Sequence, residues 1–249
     1  MTRLPPHKVI SVIIPVFNEE VSLPKVMGDL PRELLHEIIV VDNASTDRSA
    51  AVAAELGCRV VTECRRGYGQ ACLAGIAALD PVTDIVVFVD GDHSDHADQL
   101  PALLKPILDD DYEFVIGSRA RGQREPGAMT PQAHYGNKLA CFLMKLFWGV
   151  RYTDLGPFRA ITLDALRRIG MTDQDFGWTI EMQIRAVEEG VRTIEVAVDY
   201  RKRVGTSKIS GTLSGTILAG EKILRTIFKY RFLRPPVKKS LQHVTHPPC

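Results

Sequence analysis

The sequence predicts an α/β fold in which a mostly parallel, Rossmann-like sheet is flanked by helices. Apolar runs rich in valine and isoleucine, at residues 9–15, 37–42, 59–62 and 85–89, alternate with segments of helical pattern. Strands and helices that alternate at this spacing form right-handed βαβ units and a parallel sheet. The 249 residues are enough for one large domain with a substantial core.

Each of the first three strands is followed by turn residues and a helical pattern. The first run ends at Pro15 and leads through a polar loop into a helix. After the second run, residues 43–47 supply turn and N-cap chemistry for a helix over 48–56. After the third run, a glycine-rich turn opens a helix over 71–79. This turn lacks the third glycine of a dinucleotide-binding GxGxxG motif, because Cys72 stands there, which argues against a Rossmann dehydrogenase.

The middle of the chain predicts a helix over 98–108 and a strand over 114–119, followed by less regular segments. Residues 121–133 are rich in glycine, proline and charge, which is typical of either a lid or a plain surface loop. The apolar run 139–150 is too short to span a bilayer and predicts a buried or an interfacial helix. Residues 154–159 are expected to form a loop.

In the C-terminal part, residues 176–181 lead into a predicted helix that ends at about Glu189, followed by a strand over 192–200 and an amphipathic basic helix over 209–234. We expect residues 1–239 to form a single catalytic domain and residues 240–249 to be a disordered tail. In the last helix, apolar side chains recur at helical spacing: Ile217, Leu224 and Phe228.

Charge is distributed unevenly along the chain, although the formal net charge is only +1. Residues 201–239 contain eleven lysines or arginines and one acid, Glu221, so that this segment carries a net charge of +10. A basic C-terminal segment favours phosphate groups or anionic lipid as partners. Nucleic acid is not among the partners that we expect.

The composition, 45% hydrophobic and 24% charged, is ordinary for a soluble globular protein. The five cysteines are odd in number and show no CxxC pair, which argues against a zinc site or a disulfide framework and favours a reducing cytoplasm. The N-terminus lacks the apolar core of a signal peptide, and no run approaches the ~20 apolar residues of a spanning helix. We therefore expect a cytoplasmic protein.

Two carboxylates follow the buried strand 85–89, separated by one glycine: Asp90, Gly91 and Asp92. Open α/β sheets bind ligands at the carboxyl ends of their strands. Carboxylate oxygens suit Mg²⁺ or Mn²⁺, and glycine allows a ligand to approach the backbone closely. An ordinary polar turn is the alternative interpretation, since Asp-Gly is common turn chemistry.

These motifs occur in an order that resembles the family 2 glycosyltransferases of the GT-A fold. The N-terminal motifs that carry the resemblance are Pro15-Val16-Phe17-Asn18-Glu19, Val41-Asp42-Asn43-Ala44-Ser45-Thr46-Asp47, Gly67-Tyr68-Gly69-Gln70-Ala71 and Asp90-Gly91-Asp92. Three later motifs resemble the dolichyl- or polyprenyl-phosphate sugar synthases: Asp154-Leu155-Gly156-Pro157-Phe158-Arg159, Trp178-Thr179-Ile180-Glu181-Met182 and Arg203-Val204-Gly205-Thr206-Ser207-Lys208.

The resemblance implies a nucleotide-binding set and a metal motif. Residues implied to bind the base and ribose are Pro15, Phe17, Glu19 and Asp42. A carboxylate at Asp42 would accept hydrogen bonds from ring N–H groups of uracil or guanine alike, so the base stays open. Asp90 and Asp92 would bind Mg²⁺ or Mn²⁺, with Asp92 as the direct ligand. Ser94 stands where the family often has a glutamine ligand.

The resemblance also implies which groups hold phosphates and face the acceptor. Arg119, Arg203 and Lys208 would hold phosphates, as bidentate and point-charge donors. The chain is one residue shorter than related sequences between Arg203 and Ser207. Two further acids, Asp154 and Glu181, match acceptor-side acids. Loop capping is the alternative for both acids. The expected catalytic residues are Asp92, Arg119, Asp154 and Glu181.

The activity implied is the inverting, metal-dependent transfer of a hexose from a UDP- or GDP-sugar to a polyprenyl phosphate. An acceptor phosphate is already ionised, whereas a hydroxyl acceptor would need Asp154 or Glu181 as general base. A soluble or glycolipid acceptor, or a non-catalytic nucleotide-sugar-binding protein, is the alternative. A lipid acceptor places the chain at the inner face of the cytoplasmic membrane. There 139–150 and 213–232 would dock, unless they pack in the core or in a dimer interface.

Overall fold

The computed structural model describes residues 8–205 and 213–233, without the side chains of residues 213–219. Seven strands form one sheet: β1 (Ile10–Val16), β2 (Glu37–Asp42), β3 (Arg59–Thr62), β4 (Ile85–Phe88), β5 (Phe114–Ser118), β6 (Arg159–Thr162) and β7 (Thr193–Ala197). Their spatial order is β3-β2-β1-β4-β6-β5-β7. All neighbouring strands are parallel except β6, which runs antiparallel to β4 and β5. The mostly parallel α/β sheet is therefore confirmed.

Helices cover both faces of this sheet. Those in the described residues are α1 (Leu23–Asp29), α2 (Ser49–Glu55), α3 (Tyr68–Ala77), α4 (Leu100–Asp109), α5 (Pro131–Trp148), α6 (Leu163–Ile169), α7 (Trp178–Glu188) and α8 (Leu213–Phe228), which continues into a π-helical turn, Lys229–Leu233. One face packs against α1, α2 and α4, and the other against α3, α6 and α7. Side chains of a strand alternate between its two faces, so strands covered on both sides need apolar residues at every position.

Strand β6 was not expected, because the segment around it reads as a loop. It is only four residues long and begins with Arg159, and arginine is rarely buried. The Arg159 side chain is nevertheless fully buried, and its guanidinium donates to the carbonyl oxygens of Leu155, Gly156 and Thr179. Burial lowers the pKa of Arg159 to about 10. These tertiary hydrogen bonds allow a cation to start an interior strand.

The C-terminal helices form a third cluster beside the sheet. Helix α5 begins at Pro131, inside the segment 121–133 that was expected to be a loop, and Thr130 caps it by accepting from the Ala133 N–H. The side chains buried in this cluster come from α5, α7 and the C-terminal segment: Ala140, Met144, Leu155, Ile180, Ile184, Ile227 and Tyr230. The Phe228 side chain is exposed at the end of α8. Within the described residues, no helix is both long and apolar enough to cross a membrane.

Three of the cysteines, Cys58, Cys72 and Cys141, carry free thiols. The thiols of Cys72 and Cys141 are buried, and burial raises their pKa values. These two thiols are therefore protonated core side chains.

Candidate active site

A pocket of about 380 Å³ opens at the carboxyl ends of β1 and β4. This is the edge at which open α/β sheets bind ligands. The residues that line it come from six separate segments: Pro15, Val16, Phe17, Glu19, Asn43, Arg66, Gly67, Tyr68, Ala71, Asp90, Gly91, Asp92, Asp175, Phe176 and Arg203. Seven of the predicted site residues are among them: Pro15, Phe17, Glu19, Asp90, Gly91, Asp92 and Arg203.

The two aspartates that follow β4, Asp90 and Asp92, both line this pocket. The Tyr68 hydroxyl, on the first turn of α3, donates to Asp90 Oδ1 at 3.0 Å. Asp92 is 3% exposed, and its Oδ1 accepts from the Ser94 N–H at 2.9 Å. Between them, a Cβ on Gly91 would lie 2.9 Å from a methyl carbon of Val16, so only glycine fits there without a shift. The aspartates are thus held by the strand, by α3 and by their own turn.

Arg203 joins this motif from a segment more than a hundred residues later. Its guanidinium forms an ion pair with Asp92 Oδ2, and the Val204 N–H donates to the Asp92 carbonyl oxygen at 3.0 Å. The preceding Arg201 N–H donates to the Ser94 carbonyl oxygen at 3.1 Å. These hydrogen bonds hold the segment 201–204 against the turn that follows β4. The Arg203 guanidinium therefore lies beside the Asp92 carboxylate.

Burial disfavours the charged forms of Asp90 and Asp95 in this turn, although Arg203 and Arg119 oppose the effect. Burial and the neighbouring Asp90 charge raise the pKa of Asp95 to about 7. Its Oδ2 accepts from the Asp90 N–H at 3.3 Å, whereas its Oδ1 is buried and has no hydrogen-bond partner in the described part of the chain. Burial likewise raises the pKa of Asp90. Hard oxygen donors fit a divalent cation.

The donor set is nevertheless small. Among the described residues, no three His, Cys, Asp or Glu side chains converge closely enough to hold a metal ion by themselves. Ser94 is buried beside the turn but does not line the pocket. A cation at Asp90 and Asp92 would therefore need further oxygen ligands from a bound phosphate or from water.

The opposite part of the pocket is lined by an aromatic ring and by turn residues. The Arg66 guanidinium lies over the Phe17 ring, 3.1 Å from its centroid. Asn43 donates to the carbonyl oxygens of Glu63 and Arg65, and accepts from the Gly67 N–H at 2.8 Å. Asn43, Arg66 and Tyr68 were not singled out from the sequence, although each lies in or beside a motif noted there.

Asp42 precedes Asn43 at the end of β2 but does not line the pocket. It is 7% exposed, and its Oδ1 accepts from the Ser45 N–H at 3.3 Å. Lys208, predicted to hold phosphate, lies outside the described residues.

Arg119 and Asp154 form a buried bidentate ion pair away from the pocket lining. Asp154 is fully buried and accepts from the Arg119 backbone N–H, Nε and Nη2 at 2.7–2.8 Å. Burial alone would raise the pKa of Asp154, but the Arg119 charge and hydrogen bonds hold it below its ordinary value. A fourth bond comes from the Leu155 N–H at 2.8 Å. In this geometry both groups are engaged with each other rather than turned toward a ligand.

Glu181 is also buried and does not line the pocket. It accepts from the Thr172 N–H at 3.0 Å, the Thr172 hydroxyl at 2.6 Å and the Asp173 N–H at 2.6 Å. The Tyr230 hydroxyl also donates to it. This is the loop-capping arrangement that the sequence left open for Glu181.

The last contribution to the pocket, from Asp175 and Phe176, comes from a loop that no sequence motif indicated. The Gln70 N–H donates to the Gln174 carbonyl oxygen at 2.8 Å, and this bond holds the loop against α3. A Cβ on Gly67 or Gly69 would collide with this loop's backbone. The two glycines of the Gly67-Tyr68-Gly69 turn therefore permit close packing between chain segments.

The sheet order, the acidic turn after β4 and the pocket at its edge define a GT-A type of glycosyltransferase fold. Residues 11–170 match the family described as Glycosyl transferase family 2. The chain therefore belongs to glycosyl transferase family 2, and it is a glycosyltransferase.

Curated relatives of nearly full length support the assignment. An uncharacterized glycosyltransferase of Mycobacterium tuberculosis is 37% identical over 213 residues, covering 84% of this chain and 94% of that protein. A dolichyl-phosphate hexose transferase of Haloferax volcanii is 31% identical, covering 89% and 95%. An undecaprenyl-phosphate mannosyltransferase of Micrococcus luteus is 32% identical, covering 82% and 88%.

Among solved structures, glucosyl-3-phosphoglycerate synthase from Mycobacterium tuberculosis superposes with a TM-score of 0.74. The identity is 22%, and the match covers 92% of this chain and 81% of that one. That structure contains Mn²⁺, uridine diphosphate and glucosyl-3-phosphoglycerate. At this identity the similarity establishes the fold.

Proposed function

We propose that this chain transfers a hexose, with inversion, from a UDP- or GDP-sugar to a polyprenyl phosphate. The observation that carries the proposal is the pocket at the carboxyl edge, where Asp90, Asp92 and Arg203 meet an aromatic ring and a turn. The relatives named for dolichyl-phosphate and undecaprenyl-phosphate transfer support the acceptor class.

Asp90 and Asp92 would hold Mg²⁺ or Mn²⁺, which would neutralise negative charge on the donor diphosphate. Arg203 supplies a second positive charge at the same place. Its guanidinium contacts Asp92, so a cation bound to that carboxylate would leave the Arg203 charge available to the diphosphate. Gly91 leaves room for the phosphates against the backbone, and Phe17 supplies an apolar surface for the nucleoside.

The acceptor side needs no strong base if the acceptor is a phosphate, because a phosphate is already ionised near neutral pH. Asp154 is paired with Arg119 and Glu181 accepts four hydrogen bonds, so neither is poised to take a proton. We therefore assign Arg119, Asp154 and Glu181 to positioning rather than to proton transfer.

A lipid acceptor also requires docking at a membrane surface. We define the apolar face as the exposed large side chains of α5, of the end of α8 and of its π-helical turn: Tyr135, Leu139, Phe142, Leu146, Phe228, Phe232 and Leu233. Phe147 connects the two groups, since its ring centroid lies 6.0 Å from Phe228 and 5.7 Å from Phe232. The same segments also carry exposed basic side chains: Lys138, Lys145, Lys229 and Arg231. Aromatic and basic side chains together suit an anionic lipid surface at the cytoplasmic face.

The identities of the donor and the acceptor are tested by an activity assay with a panel of nucleotide sugars. The purified protein is incubated with Mn²⁺ or Mg²⁺ and UDP- or GDP-sugars, with and without polyprenyl phosphate. We expect release of nucleotide diphosphate and a lipid-linked sugar from one donor. Release with a water-soluble acceptor, and none with the lipid, would contradict the proposal.

A soluble hydroxyl acceptor is the second candidate, favoured by the presence of another acid, Asp175, in the pocket lining. Asp175 distinguishes the two, because it lines the pocket, and burial and Asp173 raise its pKa while Lys222 opposes the shift. If the acceptor is a phosphate, Asp175→Asn should keep turnover within several-fold. A loss of roughly a hundred-fold or more, the range of general-base catalysis, would favour a hydroxyl acceptor.

A further inference from the structure

The loop 172–177 forms part of the donor pocket without being part of the sheet. Its shape depends on Asp173, whose Oδ1 accepts from the N–H groups of Asp175 at 2.8 Å and Gly177 at 3.1 Å. Asp175 and Phe176 reach the pocket from this loop. Whatever holds Asp173 and its neighbour Thr172 therefore determines where that wall of the pocket lies.

Glu181 is the group that holds them. It lies in the first turn of α7, is 1% exposed, and binds the backbone of both Thr172 and Asp173. The two oxygens of a carboxylate can accept hydrogen bonds from several donors. The four donors to Glu181 described above are all groups of the protein. Its position is thus determined by α7 on one side and by the loop on the other.

The C-terminal helix reaches the same loop at separate points. The Tyr230 side chain is 6% exposed, and its hydroxyl donates to Glu181 Oε1. Lys222 Nζ lies 3.3 Å from Asp173 Oδ2. A Cβ on Gly177 would lie 2.5 Å from Thr226 Oγ1, so helix and loop are packed closely. Helix α8 and its π-helical turn therefore form the support behind the pocket wall.

We propose that Glu181 is a positioning residue through which Tyr230 and α8 hold the donor-binding wall in place. The inference rests on the proposed function for the identity of the ligand, a nucleoside diphosphate with a divalent cation. It assigns Glu181 to donor binding, in contrast to the acceptor-side acid that the sequence motif implies. Loss of this link should weaken donor binding and leave the chemical step intact.

The first test is Tyr230→Phe, which removes one hydroxyl and keeps the buried ring. With Mn²⁺ present, calorimetry should show UDP or GDP binding weakened by about ten-fold, the size expected for losing a hydrogen bond to a buried carboxylate. The donor KM should rise in parallel, with kcat at saturating donor and the acceptor KM unchanged. Tyr112→Phe is the matched control, since Tyr112 packs in the core on α4's side of the sheet.

The second test is Glu181→Gln, which separates positioning from proton transfer. A positioning role predicts a raised donor KM and an unchanged pH profile of kcat. A general base predicts the loss of kcat at saturating donor instead. Should Glu181→Gln fail to fold, Lys222→Met, which breaks the second contact, should raise the donor KM in the same direction.

Unchanged nucleotide binding in both Tyr230→Phe and Lys222→Met would overturn the inference while leaving the proposed function standing. Failure of the unaltered protein to bind any nucleoside diphosphate would overturn the proposed function, and the inference with it.

Discussion

The donor pocket and the segments that support it are built in different ways. Most of the pocket uses strand ends and the turns that follow them, so most of its residues are close in sequence to the elements that place them. Asp90 and Asp92 come directly after β4, and Pro15 and Phe17 mark the end of β1. The support behind the pocket joins α5, the loop 172–177, α7 and α8, whose contacts cross long stretches of chain. Its acids are engaged in holding these segments together.

This difference teaches that the same residue type has two uses in one site. The carboxylates of Asp90 and Asp92 line a pocket and suit a cation. Those of Asp154 and Glu181 are buried and fully engaged with protein donors. Burial of a carboxylate costs free energy unless it is paired, so its partners reveal its use.

The largest effect should come from Asp92→Asn on the donor side. Loss of a carboxylate removes both a cation ligand and the partner of Arg203, so kcat should fall by roughly a hundred- to a thousand-fold. Far-UV circular dichroism should remain that of the unaltered protein. Asp110→Asn, at an exposed position after α4, is the control and should retain full activity. Normal turnover in Asp92→Asn would contradict the functional distinction between the pocket acids, Asp90 and Asp92, and the structural acids, Asp154 and Glu181.

Away from the pocket lining, Arg119→Gln should affect stability first. Removing one partner leaves the Asp154 charge buried, which costs about 3–5 kcal/mol of unfolding free energy. The double variant Arg119→Met, Asp154→Leu should be destabilised less than Arg119→Gln, because no charge is left unpaired. Urea unfolding measures both. A cost below about 1 kcal/mol for Arg119→Gln would match an exposed pair and contradict the structural role.

The same ion pair predicts a pH dependence of stability. The pKa of Asp154 is lower in the folded protein than its ordinary value of 3.8. Its stabilisation is therefore present above that ordinary value and is lost as the pH falls through the lowered one. In Arg119→Gln the native pKa rises, so that variant should unfold at a higher pH than the unaltered protein in an acid titration.

The smallest effect should come from the apolar face. Replacing Phe142 and Phe232 with serine removes two exposed rings, and flotation with anionic vesicles at low salt should show binding weakened by about ten-fold or more. Turnover with a water-soluble acceptor analogue should not change. Val82→Ser is the control, since Val82 is 56% exposed in the turn that precedes β4. If all variants bind the vesicles as well as the unaltered protein does, the apolar face does not contact lipid and belongs to a protein interface instead.

Much of the donor side could be predicted because its signals are local. Alternating apolar runs indicated six of the seven strands, and the polar residues after them indicated the pocket. Tyr68, Asn43 and Arg66 lie beside recognised motifs, but their contacts depend on which turns meet at the sheet edge. The missed strand, β6, is short and begins with an arginine whose burial only tertiary carbonyl partners permit.

The sequence by itself determined the α/β class, the glycosyltransferase resemblance and the acidic turn after β4, because periodicity and strand-end chemistry are encoded within a few neighbouring residues. Only the tertiary structure decided that Asp175 and Phe176 enter the pocket, and that Glu181 and Asp154 hold segments together. Those outcomes depend on long-range hydrogen bonds, and a carboxylate's use follows from the donors that surround it rather than from its neighbours along the chain.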